Sequence, residues 1–268
     1  MDNRPIGLLD SGLGGLSVVK KVIKKLPNES TIFIGDNAHM PYGNRTKEDI
    51  IDLTRKSVKF LLKNDVKLVI IACNTATATA MDTIEKEIDP QVIGVIQSGA
   101  LAAARTTKNK KVAVVATSVT VASHAYEKEL HFRDPEIKVT ELAAPKLAPL
   151  VEAQEDHATN LKVVKESLVP LQGKGFDTLV LGCTHYPLIQ REFTEAINDP
   201  KVTILDPADQ VAQYTFNVMH RDGLFSEAGH QAEHKYYTTG NADSFDKLAR
   251  TFMDDAALTS EHVDTENE

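Results

Sequence analysis

The chain has 268 residues, of which 42% are hydrophobic and 25% are charged, and its formal net charge is −8. These values fit a globular protein large enough for two domains, and the acidic balance argues against nucleic-acid binding because no basic surplus is available to the phosphates. No apolar run reaches the roughly 20 residues of a membrane span, and the first residues lack the pattern of a signal peptide. We therefore expect a cytoplasmic protein with no membrane or nucleic-acid partner.

Strand-like and helix-like patterns alternate along the chain, which predicts parallel β-sheets flanked by helices. In the first part of the chain, apolar runs predict strands at residues 6–10, 31–35, 69–72 and 92–95. Helical spacing of apolar residues predicts a helix at residues 16–26 and a long helix that Thr46 caps and that continues through Leu61. A third helix is predicted after the strand at 69–72, passing through Ala80 and Ile84. This part therefore reads as an α/β unit.

The alternating pattern then restarts, which predicts a second α/β unit. Strands are predicted at residues 111–116, 137–142 and 179–182, and helices at 123–130, 146–154 and 160–168, with Pro187 in the first turn of a further helix. The remaining predicted elements are strands at 202–205 and 235–238 and helices at 211–219 and 244–252. We expect the end of the chain to return to the first domain, so that residues 1–96 plus 207–268 form one domain and 97–206 the other. The acidic stretch from Asp254 onward is expected to be frayed.

The chain contains two cysteines, and each follows an apolar strand where a helix is expected to begin. Cys73 is followed by Asn and Thr, and Cys183 by Thr and His. Ligands of open α/β sheets bind outside the carboxyl ends of the strands, so both thiols mark a candidate site. The matching order of elements before the two cysteines indicates a duplication with two half-sites. Their wide separation in a reducing compartment predicts neither a disulfide nor a zinc site.

A glycine-rich turn, Asp-Ser-Gly-Leu-Gly-Gly at residues 10–15, joins the first strand to the first helix. It is not a dinucleotide fingerprint because position 17 is Ser, and it lacks the Gly-Lys-Ser/Thr of a phosphate-binding loop. Two interpretations remain, a plain tight turn or a set of backbone N–H groups that binds a carboxylate. Asp10 favours a functional turn, because a carboxylate at the end of an apolar strand is costly unless it is used.

Each cysteine could be a buried structural residue, and a lone histidine often has no catalytic role. Catalysis is favoured by the helix N-terminus at Cys73, where the dipole is expected to lower the thiol pKa, and by the repeat of this arrangement at Cys183 with His185 beside it. A Cys–His pair also fits a thiol hydrolase, but a hydrolase leaves the second thiol unexplained. Two matched thiols could instead take a proton from one face of a carbon and return one to the other.

Four motifs together resemble those of bacterial glutamate racemases, within the aspartate/glutamate racemase family. They are the turn beginning at residue 10, the stretch 36–43 with its Pro-Tyr-Gly, Ala-Cys-Asn-Thr-Ala at 72–76, and Gly-Cys-Thr-His-Tyr-Pro-Leu at 182–188. They occur in the order and spacing of that family. The His after Cys-Thr resembles the enzymes that act on glutamate, because relatives acting on aspartate usually carry an acidic residue there.

The resemblance implies an α/β fold of two flavodoxin-like parallel-sheet domains related by pseudo-symmetry, with the active site in the cleft between them. It implies a homodimer and a cofactor-independent, metal-free racemisation of L-glutamate to D-glutamate for peptidoglycan. Cys73 would take the α-proton of D-glutamate with help from Asp10, and Cys183 that of L-glutamate with help from His185. Asp36 and Glu152 would support catalysis. The implied substrate-binding residues are Asp10, Ser11, Tyr42, Gly43, Asn74, Thr75, Thr184 and His185, with Thr117 and Thr120 as further contacts.

Two other interpretations stay open from the sequence. A racemase of the same fold could act on aspartate or another small amino acid, although His185 favours glutamate. A protein that clamps an amino acid between two domains without turnover would also fit the duplicated pattern, but it would not need both thiols.

Overall fold

A computed structural model of the chain describes residues 1–265, which form ten strands and eleven α-helices. The strands are β1 (Ile6–Asp10), β2 (Thr31–Gly35), β3 (Leu68–Ile71), β4 (Gln91–Gly94), β5 (Lys111–Ala116), β6 (Lys138–Ala143), β7 (Thr178–Gly182), β8 (Thr203–Leu205), β9 (His234–Thr238) and β10 (Ser260–His262). The α-helices are α1 (Leu16–Lys25), α2 (Lys47–Lys63), α3 (Asn74–Ile84), α4 (Val95–Thr106), α5 (Ser118–Ser123), α6 (Ala125–Arg133), α7 (Leu147–Glu152), α8 (His157–Leu168), α9 (Gln190–Ile197), α10 (Pro207–Asp222) and α11 (Ala242–Met253). None of these helices combines the length and the apolar character that a bilayer crossing requires.

The strands form two parallel sheets with a shared core order, which confirms the predicted pair of parallel-sheet α/β domains. The first sheet has the order β10-β9-β2-β1-β3-β4, and the second has the order β6-β5-β7-β8. Every strand pair in both sheets is parallel. The central order 2-1-3-4 therefore appears once in β1–β4 and again in β5–β8, as a duplication predicts. This is the order of flavodoxin-like sheets.

Alternating apolar residues let each central strand face two layers of core. In β3, Leu68 and Ile70 belong to one apolar cluster, and Val69 and Ile71 to a second cluster on the other face of the sheet. Helix α10 packs against α1 and α4, and α4 also packs against α6 and β7. One apolar cluster consequently includes residues of both sheets, such as Leu8 and Val114. This shared core holds the carboxyl ends of the two sheets near each other.

Two local predictions from the sequence were wrong. The predicted strand at 92–95 ends at Gly94, and Val95 begins the unpredicted helix α4, since Gly94 serves as its N-cap. Pro187 does lie in the first turn of the helix that follows Cys183, as predicted, and this helix is a short 3-10 helix, Tyr186–Ile189, that precedes α9. The stretch after Asp254 is not frayed up to Thr265, because β10 pairs with β9 and Leu258 is buried. Residues 266–268, which that prediction also covered, lie outside the described part of the chain. The division into 1–96 plus 207–268 and 97–206 would place a boundary inside α4, and it stays a prediction.

Candidate active site

A cavity of about 320 Å³ lies where the carboxyl ends of the two sheets meet. It is next to the ends of β1 and β3 in one sheet and of β5 and β7 in the other, where the strand order reverses and α/β folds bind their ligands. Its lining residues are Ser11, Met40, Pro41, Tyr42, Gly43, Cys73, Asn74, Thr75, Thr117, Ala148, Pro149, Glu152, Cys183, Thr184 and His185. The two thiols, separated by more than a hundred positions in the chain, therefore share one cavity.

Cys73 is the N-cap of α3. Its sulfur accepts a hydrogen bond from the Ala76 N–H at 3.4 Å, and its S–H donates to Ser11 Oγ at 3.5 Å. Burial, followed by the negative charge of Asp10, raises the pKa of the Cys73 thiol to about 12, although the bonds to Ser11 and Ala76 oppose the rise. The sequence-based expectation of a lowered pKa was therefore wrong, because burial outweighs the helix N-terminus. A thiol with a pKa raised this far favours its protonated form near neutral pH.

Cys183 stands at the start of a relay of three side chains. Its Sγ lies 3.7 Å from Nδ1 of His185, and Nε2 of His185 lies 2.7 Å from Oε1 of Glu152, the last residue of α7. Burial lowers the pKa of His185, but its hydrogen bonds to Cys183 and Glu152 outweigh burial and raise that pKa well above its usual range. A doubly protonated imidazolium can donate to both neighbours at once, so His185 can bond Cys183 and Glu152 together in this geometry.

Asp10 lies beneath the cavity and connects the two halves. Only 1% of its surface is exposed, and its carboxylate accepts hydrogen bonds from the Gly12 N–H at 3.0 Å and from Thr184 Oγ1 at 3.3 Å. Burial raises the pKa of Asp10, while His185 and the N–H groups of the turn act against the rise. The turn that the sequence singled out is thus bound to the residue that follows Cys183.

Asp36 is placed behind the cavity and not in its lining. One of its carboxylate oxygens accepts from Tyr42 OH at 2.6 Å, and the other accepts from Thr239 Oγ1 at 2.6 Å and lies 2.7 Å from His39 Nδ1. Three neighbouring side chains thus contact the Asp36 carboxylate. Its geometry fits the fixing of Tyr42, whose buried ring lines the cavity.

Hydroxyl groups from both domains meet at one end of the cavity. Thr117, the N-cap of α5, lies 2.9 Å from Thr75 through their Oγ1 atoms and 3.0 Å from Thr120. Thr75 follows β3 of the first sheet, and Thr117 follows β5 of the second. These hydroxyls stand at equivalent points of the two halves and can donate to a carboxylate between them.

Asn74 is oriented by a residue from the other half. Tyr126 is fully buried, and its OH donates to Asn74 Oδ1 at 2.7 Å. The same ring packs against Gly182, where a Cβ would lie 3.2 Å from Tyr126 Cε2. Because Oδ1 is occupied, the amide NH₂ of Asn74 is left as the donor for the cavity. Tyr126 consequently contacts the residue after Cys73 and the residue before Cys183.

Gly14 allows the two halves to approach closely. A Cβ at this position would lie 2.4 Å from Thr184 Oγ1 and 2.8 Å from His185 Nδ1, which is too close for any side chain. The glycine-rich turn therefore has a steric role: it makes room for the Cys183 turn. The close approach of the two turns thus explains the glycine at position 14, and no phosphate-binding role is needed to explain it.

Most of the residues expected at the site line the cavity, and a few do not. Asp10, Asp36 and Thr120 are behind the lining, each hydrogen-bonded to a residue that belongs to it. Sequence reasoning missed the lining residues Met40, Ala148 and Pro149, and it missed Tyr126 as a bridge. Met40, with its thioether side chain, lies on a loop, and the apolar residues Ala148 and Pro149 lie on α7. None of the three carries a reactive group that would mark it in the sequence. Among residues 1–265, the lining includes neither Lys nor Arg, so substrate carboxylates would be bound by hydroxyl, amide and backbone donors.

Comparison with known proteins places these features in a family. Residues 6–215 match the family model for Asp/Glu/hydantoin racemases. The chain is 81% identical to a glutamate racemase of Lactobacillus acidophilus over 267 residues, which covers 100% of both chains. A crystal structure of a glutamate racemase isoform from Bacillus anthracis superimposes with a TM-score of 0.95 at 37% identity and covers 98% of each chain. A glutamate racemase of Francisella tularensis, solved in complex with D-glutamate, superimposes with a TM-score of 0.92 at 31% identity over 100% of each chain. The chain therefore belongs to the Asp/Glu/hydantoin racemase family and, within it, to the glutamate racemases, which are amino-acid isomerases.

Proposed function

We propose that the chain interconverts L- and D-glutamate by a two-thiol mechanism without an organic cofactor or a metal, and that it supplies D-glutamate for peptidoglycan in the cytoplasm as a homodimer. Glutamate as the substrate is supported by the full-length identity of 81% to a glutamate racemase and by the likeness to a relative that binds D-glutamate. The observation that carries the mechanism is that Cys73 and Cys183, from equivalent turns of the two sheets, line one cavity.

The first step from L-glutamate is removal of its α-proton by the Cys183 thiolate. The C–H bond breaks, an S–H bond forms, and the electron pair stays on the α-carbon and its carboxylate. Cys73 then donates its own proton to the opposite face, so that a C–H bond forms and the thiolate passes to Cys73. The raised pKa of Cys73, about 12, keeps this thiol protonated before the step. Two coupled thiols thus exchange one negative charge during each turnover.

The cavity must stabilise the carbanion as it forms, and its buried donors suit this task. Asn74, Thr75 and Thr184 are each less than a tenth exposed, and they stand at the ends of β3 and β7. Fixed donors in a water-poor site stabilise developing charge more strongly than donors in bulk water, because they need no reorganisation. Exclusion of water also leaves the second thiol as the main proton source for the carbanion.

Single cysteine variants test the mechanism through isotope exchange. Cys73→Ala and Cys183→Ala should each abolish racemisation, measured by polarimetry with either enantiomer. In deuterated water, Cys183→Ala should still exchange the α-proton of D-glutamate without inversion, and Cys73→Ala that of L-glutamate. The parent enzyme should incorporate deuterium into its product from the first turnovers.

Near-UV circular dichroism and thermal unfolding serve as fold controls for both variants. Racemisation near the parent rate by either folded variant would contradict the two-thiol mechanism. Exchange of the same enantiomer by both variants would contradict the assignment of one thiol to each hand of the substrate. Parallel racemisation assays with aspartate test whether aspartate is the substrate instead of glutamate. The role in peptidoglycan is tested in a strain depleted of this protein, whose growth should be restored by added D-glutamate.

A further inference from the structure

A second cluster of ionisable groups lies outside the cavity, at the junction of α5 and α6. His124 joins the two helices, Glu127 is in the first turn of α6, and Glu141 is on β6, the edge strand of the second sheet. Nδ1 of His124 lies 2.8 Å from a carboxylate oxygen of Glu141 and 3.2 Å from one of Glu127. One potential ligand atom from each of the three residues lies within 4.8 Å of the others.

The two carboxylates converge on a single nitrogen, and one proton cannot satisfy both. Nδ1 of an imidazole carries at most one hydrogen, so it makes one good hydrogen bond. Within residues 1–265, His124 is the one basic side chain that pairs with Glu127 or Glu141. The nearby cations are engaged elsewhere, since Lys128 donates to the Ser123 carbonyl and Arg133 pairs with Glu129. The cluster thus has an excess of negative charge at its centre.

Glu141 provides an independent sign that a partner is needed. Its side chain is only 7% exposed, and its Oε1 is buried without a hydrogen-bond partner among the described residues. A buried carboxylate oxygen without a partner is costly, because it has lost its water and gained nothing in return. A cation bound to this carboxylate would remove the cost.

We propose that His124, Glu127 and Glu141 bind one divalent transition-metal ion of the zinc class, with solvent completing the coordination. One imidazole nitrogen and two carboxylates are ligands that Zn²⁺ accepts at about 2.0–2.2 Å, and the exposed side chains of His124 and Glu127 can adjust around the buried Glu141 carboxylate to reach them. His124 and Glu127 are both more than a third exposed, so an ion can enter from solvent. The ion would tie the α5–α6 junction to the edge strand β6.

The site is distinct from the cavity but mechanically connected to it. Helix α5 has six residues, begins after Thr117 in the cavity lining and ends at Ser123, with His124 as its C-cap. The helix also packs against α3, which begins after Cys73. An ion at one end of α5 would therefore limit the motion of Thr117 at the other end.

Cobalt titration tests the proposal, because Co²⁺ replaces Zn²⁺ and absorbs visible light in a tetrahedral or five-coordinate site. The full chain, first treated with a chelator, should develop visible d–d bands that saturate at one equivalent, without the near-ultraviolet charge-transfer band of a thiolate ligand. That last criterion separates this cluster from Cys73 and Cys183. Zn²⁺ should displace Co²⁺ and raise the Tm of the parent protein.

Variants then locate the ion. Glu141→Gln and His124→Asn should each weaken binding at least about 10–100-fold, the loss that removal of outer partners alone can cause. Glu141→Gln removes a buried charge, so the variant should fold, and its Tm should no longer respond to Zn²⁺.

His157→Asn is the matched control. His157 also contacts two glutamates, but through opposite ring nitrogens, 2.7 Å to Glu192 and 3.2 Å to Glu195, so that they cannot converge on one ion. This variant should bind Co²⁺ like the parent. The proposal is overturned by the absence of d–d bands, by a thiolate charge-transfer band at the first equivalent, or by binding that survives Glu141→Gln.

Discussion

Cys73 and Cys183 follow equivalent strands of two sheets with the same order, yet their surroundings differ. Cys73 caps an eleven-residue helix and contacts a serine hydroxyl, whereas Cys183 precedes a 3-10 helix and lies 3.7 Å from His185. The charged neighbour of Cys73 is the carboxylate of Asp10, which raises the pKa of the thiol, while His185 can carry a positive charge beside Cys183. The duplication thus keeps the strand ends alike, and side chains outside the strands give the two thiols different charged neighbours.

In the proposed mechanism, the raised pKa keeps the Cys73 thiol protonated in the free protein, and this is the form that accepts L-glutamate. Free L- and D-glutamate have equal free energies, however, so kcat/KM must be the same in both directions for every variant. A substitution beside either thiol therefore changes kcat/KM by the same factor in both directions. Isotope effects and pH profiles then show which of the two thiols the substitution affects.

Replacement of His185 should have the largest effect. His185→Asn removes the imidazolium beside Cys183, and kcat/KM should fall by about 10²–10⁴ in both directions, the range for loss of acid/base assistance. The primary deuterium isotope effect should increase for L-glutamate, whose proton Cys183 removes. His157→Asn, on the surface of the second domain, is the control and should keep the parent rate. A loss of less than tenfold would show that Cys183 does not depend on the relay.

Glu152→Gln should have the next largest effect, about 10–100-fold on kcat/KM, from the roughly 1.5–3 kcal/mol of a hydrogen bond between charged groups. Glu152 raises the pKa of His185, so the imidazolium is present below that pKa and is lost as the pH rises through it. Without the Glu152 carboxylate this pKa falls, and the alkaline limb of the kcat/KM profile should move to lower pH. Glu155→Gln, an exposed neighbour, should leave the limb in place. An unmoved limb in Glu152→Gln would contradict the relay.

The elements that the sequence predicted well are those with a local cause. β1, β3 and β7 are apolar runs that end at or just before Asp10, Cys73 and Cys183, and such runs are recognisable without tertiary information. Helix α4 was missed because no Pro or polar cap separates it from β4, and Gly94 both ends the strand and caps the helix. β10 was missed because its three residues are polar and owe their conformation to pairing with β9.

The candidate site shows the same division. Cys73, Cys183, Asp10 and His185 carry reactive groups at strand ends, so residue type and position were enough to select them. Tyr126 carries no such signal: its role depends on reaching Asn74 from the other half of the chain. The sign of the pKa shift at Cys73 was also out of reach, since burial and the Asp10 charge are properties of the folded site.

Tyr126→Phe should have a smaller effect, on binding more than on chemistry. Loss of the hydroxyl frees Asn74 Oδ1, so the amide can turn and its donor to the substrate is no longer fixed. KM should rise about 2–10-fold with little change in kcat, the equivalent of about 0.5–1.5 kcal/mol for one hydrogen bond. Steady-state kinetics of Tyr126→Phe, Asn74→Ala and the double variant measure the coupling.

Tyr186→Phe is the matched control for Tyr126→Phe, because it loses an equally buried hydroxyl bonded to the Ala144 carbonyl at 2.9 Å. It should show no coupling to Asn74→Ala. Additive effects in the Tyr126 and Asn74 cycle would contradict the positioning role, since residues in contact are expected to be non-additive.

Ser11→Ala should give the smallest effect and the clearest contrast between the two thiols. The Ser11 hydroxyl is one of the groups that lower the pKa of Cys73 against burial and Asp10, so its loss raises that pKa further. Removal of the α-proton of D-glutamate should slow, and kcat/KM should fall about 2–5-fold in both directions, from about 0.5–1 kcal/mol. The primary deuterium isotope effect should increase for D-glutamate and not for L-glutamate, the reverse of His185→Asn. Ser17→Ala is matched to it, because Ser17 Oγ makes a bond of the same 3.5 Å length to the Thr184 carbonyl on the other turn. An isotope effect that increased for L-glutamate in Ser11→Ala would mean that Cys73 and Cys183 serve the opposite enantiomers.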